Sequence, residues 1–532
     1  MGKAAQPYSI STYSIETLRQ ILSDEANVPL SVVQAKPHLG YFEGYFNFIG
    51  AKSILVERDY IDRDYLEDFA SYYVRCFHPY PRKCSRLHFF DETITNEEFE
   101  AAMKGAEYEK LSGSYLGFVV VKPLPQTIIG RTCLRTYPSD GGRRHYPSVR
   151  DYEANIFGLK LVAKQTLAFQ EQDHVAAACA TSALWSAFQG TGKLFQHPIP
   201  SPVSITRAAT KNWPRETRTF PNNGLDIIEM AHAIRDVGLE PLMLRADRHD
   251  VLKSNLYAYL KAKIPLLLIV DLYNASIKIP LLHRQKPSYL GKHAVAASGY
   301  SLGLSKPVPY GGTGLLLKAS RIDKFYAHDD QVGPFARMVF TEMDVQFASD
   351  TVLKRDFLTT SWRNPVSGAG SIVAQPENLL IPIYHKIRIP FDTISQSVID
   401  FDELLEKMRA DGRAPLSERI EWDIYLITVG EFKTDVRSSM DLNEDERLAI
   451  QLQPLPRFLW CADGACAGKR VIGLLFDATD IEQGSFFLRA VAYDHALALV
   501  LKNIGQNTPA DSKFIPRQTQ AILHHFAQKH IK

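Results

Sequence analysis

The sequence is poor in cysteine, with six residues in 532. That is too few for a disulfide-stapled secreted scaffold, so a reducing cytoplasm is the expected compartment. It also lacks a dominant charge. Lys plus Arg number 61 against 59 for Asp plus Glu, so no global basic field exists to hold nucleic acid or an anionic membrane. No apolar run approaches the roughly 18 residues of a membrane span. The strongest run, at 264–270, is strand length and stops at Asp271. The N-terminus carries no apolar stretch of signal-peptide length, and Gln6 stands where an acylation signal beginning at Gly2 would want Ser or Thr. Internal repeats and low-complexity blocks are absent.

What is present is an ordinary globular composition, 45% apolar and 23% charged. At this length it implies more than one core. Three regions differ in texture: 1–160, 161–345 and 346–532. The first opens with helix-like stretches and leads through a probable strand at 115–124 to a Gly- and Arg-rich loop at 137–148. The second shows the clearest order. A helix at 175–188 ends at Gly190. A second stripe at 225–237 has Asn223 as candidate cap and Gly238 as stop. Strand and helix patterns follow, then a run of strands through 293–300, 314–320 and 325–329. One helix, more helices and then strands favour an α+β domain with an antiparallel sheet over a doubly wound one. The third region reads as a hairpin at 456–478 turning at Asp463-Gly464, followed by a helical tail at 485–504.

Nucleophilic catalysis by cysteine needs the thiolate, which a helix N-terminus or a neighbouring imidazole favours, and the imidazole needs an acceptor to orient it. Cys179 lies early in the first helix of the second region. His293 opens a strand of small and apolar residues, and Asp329 closes a later one. If Ala176 to Ala178 belong to the helix, Cys179 lies beyond its first turn. The dipole then contributes little, and His293 must do most of the activation. Each residue has a plainer reading: a packed helical Cys, a strand-edge His, an Asp that starts a turn. The order of the three, each on a suitable element, is what carries the catalytic reading.

The stretch QEQDHVAAACATSALWSAF, with GKHAVAASGY and FYAHDD downstream, resembles the papain-like cysteine peptidases. It is most similar to the bacterial branch of double-glycine leader peptidases of bacteriocin exporters. NNGLDIIEMAHAIRDVGL is similar to the section that links the two halves of that fold. The resemblance implies a papain-like central domain flanked by accessory α/β domains. It implies Cys179 as nucleophile, His293 as general base and acid, Asp329 as the group that orients it, and Gln172 as oxyanion donor. The substrate would be a protein or peptide, with no cofactor and no metal. Departures are Ala180 in place of a Gly, a seven-residue step from Gln172 to Cys179, and 36 residues from His293 to Asp329. Gln170 and Asp330 are the neighbouring alternatives for two of the roles. A transglutaminase-like acyltransferase and an inactive papain-like binding scaffold are the rival readings.

Other signals point to structure. Gly190-Thr191-Gly192-Lys193 lacks the spacing of a phosphate loop and follows a helix. Gly311-Gly312-Thr313-Gly314 reads as a turn. Cys461 and Cys466 have no second ligand pair, and Cys76, His78, Cys84 and His88 read as a helix end and loop. Arg131, Arg135, Arg143 and Arg144 have no interleaved aromatics of the kind a nucleic-acid platform uses. His524, His525 and His530 read as a solvated basic tail.

Overall fold

A computed structural model describes residues 6–173, 175, 178–212, 220, 224–275, 278–279, 284–285, 288–346, 352–362, 372–481, 485–509 and 513–528. The chain divides into two compact units. The first comprises 1–247, 263–301 and 323–382, and the second 248–262, 302–322 and 383–532. Residues 1–160 and most of 161–345 therefore share a unit, and 346–382 belong to it too. Both units are α+β with antiparallel sheets. Among the described residues, no helix is long and apolar enough to cross a membrane.

The first unit begins with a five-stranded sheet in sequence order: Tyr8–Thr12, Ser53–Tyr60, Cys84–Phe90, Tyr115–Val121 and Ile129–Leu134. Cys84–Phe90 and Tyr115–Val121 are buried along their whole length, as central strands covered on both faces must be. Gly117 makes the pairing of Tyr115–Val121 with Ile129–Leu134 possible. It holds φ at 125°, and a Cβ there would stand 1.9 Å from the Cys133 carbonyl. The Pro37–Ile49 helix buries Leu39, Phe42, Tyr45 and Phe46. Phe46 stacks on Phe89 of the sheet at 4.3 Å. The same apolar core takes in Tyr326 and Phe335, which belong to the strands around Asp329.

Those strands form the second sheet of this unit. Gly333–Gln346, Ile322–Asp329, Ser288–Leu302, Leu266–Asn274, Ile372–Ile383 and Val352–Thr359 are neighbours in that order. Val352–Thr359 pairs along Gly333–Gln346 and meets Ile372–Ile383 through Leu358 and Ala374, which closes the six strands into a ring.

The helix expected at 175–188 runs instead over Cys179–Phe195. Gly190 does not end it. A Cβ there would meet Pro265 at 2.9 Å, and one on Gly192 would meet Ile199 at 2.7 Å. These glycines serve close packing, and the helix stops at Gln196 in the left-handed region. Ala180 through Gly192 are all buried, so this is an interior helix without a polar face. The next stripe becomes the Ile227–Asp236 helix. Its cap is Asp226, in a reciprocal box with Glu229. The Asn223 suggested as cap lies outside the described residues.

The second unit holds Glu421–Thr428, Phe458–Cys466, Lys469–Asp477 and Phe487–Ala492 in one sheet, with Leu316–Leu317 on its edge. Two expectations are corrected here. The hairpin turns at Ala467-Gly468, both with positive φ, while Asp463-Gly464 stays inside a strand. Gly464 is there because a Cβ would strike Ile420 and Ile472 at 2.8 and 2.9 Å. The tail is not helical from 485: Phe487–Ala492 is the edge strand, and the helix starts at His495 behind the Asp494 cap. His524 and His525 are half-buried instead of fully solvated. They reach the Thr508 and Ala490 carbonyls at 3.4 and 3.0 Å, because the Arg517–Gln528 helix buries Ile522, Leu523 and Phe526. His530 lies outside the described residues.

Candidate active site

Cys179 is the first residue of its helix, not a second-turn residue. The preceding Ala178 is extended and offers no side-chain cap, so the backbone N–H groups of the first turn are left to other acceptors. An anion at this position gains from them and from the helix dipole. Alanine favours helix by propensity, but Ala178 is extended. The dipole of this helix therefore acts at Cys179 within its first turn. The helix itself is held by Trp185, whose indole N–H donates to Asp64 at 3.0 Å, and by a Thr181–Thr206 hydroxyl contact at 3.1 Å.

His293 sits within the long Ser288–Leu302 strand, opposite Val270. Asp329 ends the Ile322–Asp329 strand. These two strands are neighbours, so residues 36 positions apart come into contact: His293 Nε2 lies 3.0 Å from Asp329 Oδ1. Asp330 Oδ1 stands further away, at 3.8 Å. The turn after Asp329 is closed by its own carboxylate, which accepts Gln331 N–H at 2.9 Å. It needs Gly333, where φ is 150° and a Cβ would meet the Tyr41 ring at 2.5 Å.

Burial alone would strip the proton from His293. The charge and hydrogen bond of Asp329 outweigh it, the Cys179 thiol and Asp330 add to them, and the imidazole is held well above its ordinary value. Asp329 moves the other way: burial disfavours its charge, but His293, Gln331 N–H and Trp362 hold it below the usual carboxylate range. Nε2 is committed to Asp329, so Nδ1 is the nitrogen left for the sulfur. It is buried without a partner at ordinary hydrogen-bond geometry. Cys179 is among the neighbouring groups that favour the imidazolium. Cys179 is half-buried, whereas His293, Asp329 and Asp330 are buried, so a reagent from solvent meets the sulfur first.

Gln172 is half-buried and Gln170 is buried with its Nε2 lacking an acceptor.

Trp362 was not singled out in the sequence. Its indole N–H donates to Asp329 Oδ2 at 2.7 Å, and its ring stands edge-on to His293 with centroids 6.5 Å apart. Nothing in the local pattern marks it, since it follows a strand in an irregular stretch. Trp362→Phe keeps the ring and removes the donor. A denaturant titration should show about 1–3 kcal/mol less unfolding free energy, the cost of leaving a buried carboxylate oxygen unpaired. His328, next to Asp329, is not a rival base. Its Nε2 donates to the Leu167 carbonyl at 2.9 Å and its Nδ1 accepts Phe335 N–H at 3.1 Å. Burial pushes it down to about 3.

A second group of N-terminal residues also reaches the site. His38 Nε2 donates to the Asp330 carbonyl at 2.7 Å. Lys36 donates to Glu171, whose other oxygen accepts Ile129 N–H at 3.1 Å.

The other sequence signals stay apart. Arg131 pairs with Asp62 and Asp64, Arg135 with Asp91, and Arg143 and Arg144 with Asp140. Internal carboxylates thus engage all four. His88 is bound to Tyr115 and Glu57, and burial takes it down to about 4. Among the described residues, no metal-sized cluster contains it or its Cys neighbours. No protein-family model and no curated protein matches the chain.

Proposed function

We propose that the chain is a papain-like thiol hydrolase, most simply a peptidase, acting through Cys179, His293 and Asp329. The observation that carries this reading is the buried His293–Asp329 contact at 3.0 Å, with the imidazole held protonated beside a thiol at a helix N-terminus. An imidazolium and a thiolate can then coexist. The Cys179 sulfur attacks a peptide carbonyl, and a C–S bond forms as the carbonyl π pair moves to oxygen. Backbone N–H of Cys179 and a glutamine amide, Gln172 by the resemblance, receive the oxyanion. His293 gives its proton to the leaving amine as the C–N bond breaks, and then takes one from the water that releases the acyl group. Asp329 keeps the imidazole oriented and balances its charge. The contribution of the Cys179 thiol to the raised imidazole supports an active site over an inert scaffold. The surrounding ring of strands and the interior helix suit a papain-like domain.

The test is iodoacetamide labelling of Cys179, read by peptide mass spectrometry. At about pH 6 the wild type should label roughly tenfold faster than a simple thiol, and His293→Ala should return it to the simple-thiol rate. Equal rates in the two proteins would remove the enzyme assignment.

A further inference from the structure

Asp330 has the least expected environment in the site. It is 4% exposed, and neither of its carboxyl oxygens has a hydrogen-bond partner. The donors nearby are spent elsewhere. His293 Nε2–H, Gln331 N–H and Trp362 Nε1–H all go to Asp329. His38 Nε2–H goes to the Asp330 main-chain carbonyl, not to its side chain. The charged and titratable groups that face Asp330 are His293 and Asp329 on the neighbouring strands, Glu171 from the segment before Cys179, and His38 from the N-terminal helix. Glu171 carries its own cation in Lys36. Two carboxylates and two imidazoles thus surround a third carboxyl whose oxygens no side-chain donor reaches at hydrogen-bond geometry. A buried carboxylate in that position costs more than a buried carboxylic acid.

We propose that Asp330 is a second acid of the Cys179–His293 site, neutral while its proton is on and adding a second negative charge beside His293 Nε2 when the proton leaves to solvent. It is a positioning residue that acts through the imidazole and does not touch substrate. The inference rests on the thiol-hydrolase reading for its effect on Cys179, but not for the proton itself. Burial, with Asp329 and Glu171, raises Asp330 to about 7, against the pull of His293.

The sign of the effect follows. On the acid side Asp330 is neutral and does not alter the pair. On the alkaline side its charge helps the imidazolium keep its proton, so the pair lasts to higher pH. Removing Asp330 therefore shifts one limb of the profile and leaves the other. A carboxyl that keeps its proton to about pH 7 when folded and loses it near pH 4 when unfolded also makes stability fall as pH rises across that window.

The experiment uses the full chain and iodoacetate. As an anion, this reagent reacts best with a thiolate next to an imidazolium, so its rate against pH is bell-shaped if the pair exists. In Asp330→Asn the acid limb should stay in place and the alkaline limb should move about one pH unit lower, a tenfold slower rate at a fixed pH above it. The denaturant midpoint of Asp330→Asn should also lose its downward slope between about pH 4 and pH 7. If the wild type shows no bell, the thiol–imidazole pair fails and the effect on Cys179 fails with it. The midpoint slope then still decides whether Asp330 carries the proton. A bell whose limbs do not move, or move together, in Asp330→Asn overturns the inference alone. So does a midpoint slope the variant does not change. Uptake of a zinc ion by the wild type that Asp330→Asn abolishes would put a cation where the proton belongs, and also overturns it. Asp330→Ser serves as a second neutral variant. If neither variant folds, a neutral group is not tolerated there and the inference is lost.

Discussion

Asp329→Asn should slow iodoacetate labelling of Cys179 at about pH 6 on the order of tenfold, to the rate of a simple thiol. Such a thiol is only a few parts in a thousand thiolate there, and its greater intrinsic nucleophilicity makes up part of the difference. The carboxylate accepts three donors. His293 Nε2–H and Gln331 N–H reach Oδ1, and Trp362 Nε1–H reaches Oδ2. An amide has one acceptor atom. If its oxygen faces His293 and Gln331, its NH2 meets the Trp362 N–H head on. If it is turned round, its NH2 meets the imidazole. In the first arrangement the hydrogen bond to His293 survives but the charge does not. Burial then acts unopposed on the imidazole, and the proton that sustains the thiolate is lost. The donor clash should also lower unfolding free energy by about 1–3 kcal/mol. The informative control is Asp330→Asn, which at the same pH should label at the wild-type rate. Wild-type labelling by Asp329→Asn would mean that Asp329 does not sustain the pair.

Much of this site was legible because its parts lie on separate elements in chain order. A Cys on a helix, a His on one strand and an Asp closing the next can be read without knowing how the strands pair. The α+β class followed from the same order. Local propensity misled where tertiary packing decides. Ala178 favours helix by propensity, yet it is extended and the helix starts at Cys179. Gly190 looks like a stop and is a packing contact against Pro265. Asp463-Gly464 has turn chemistry but lies where a sheet face is too crowded for a side chain. The edge strand Phe487–Ala492 reads as helix because its sequence joins directly to a real one. Trp362, Lys36 and His38 were invisible for a different reason. Their roles exist only through contacts across long sequence separations, and no periodicity or spacing records those. Region 1–160, read as an accessory domain, contributes Lys36 and His38 to the surroundings of Asp330.

That contribution leads to the largest stability effect expected away from the triad. The Lys36 and Glu171 side chains are 10% and 9% exposed and form an ion pair. Lys36 also donates to the Gln126 carbonyl at 2.8 Å. His38 Nδ1 lies 4.0 Å from the same Glu171 oxygen. Lys36→Met removes the cation and leaves a carboxylate buried near Asp330, so unfolding free energy should fall by about 3–5 kcal/mol. Glu171→Gln keeps the oxygen that accepts Ile129 N–H but leaves Lys36 without its anion. Combining the two removes both charges together. The double variant should therefore be more stable than the sum of the single losses implies, a coupling measurable by denaturant titration of all four proteins. Strict additivity would show that the pair is already solvated. Coupling without loss of Cys179 labelling would place the pair in the architecture of the site and outside its chemistry. Coupling together with slower labelling would instead mean that the N-terminal helix helps hold the turn that carries Asp329 and Asp330.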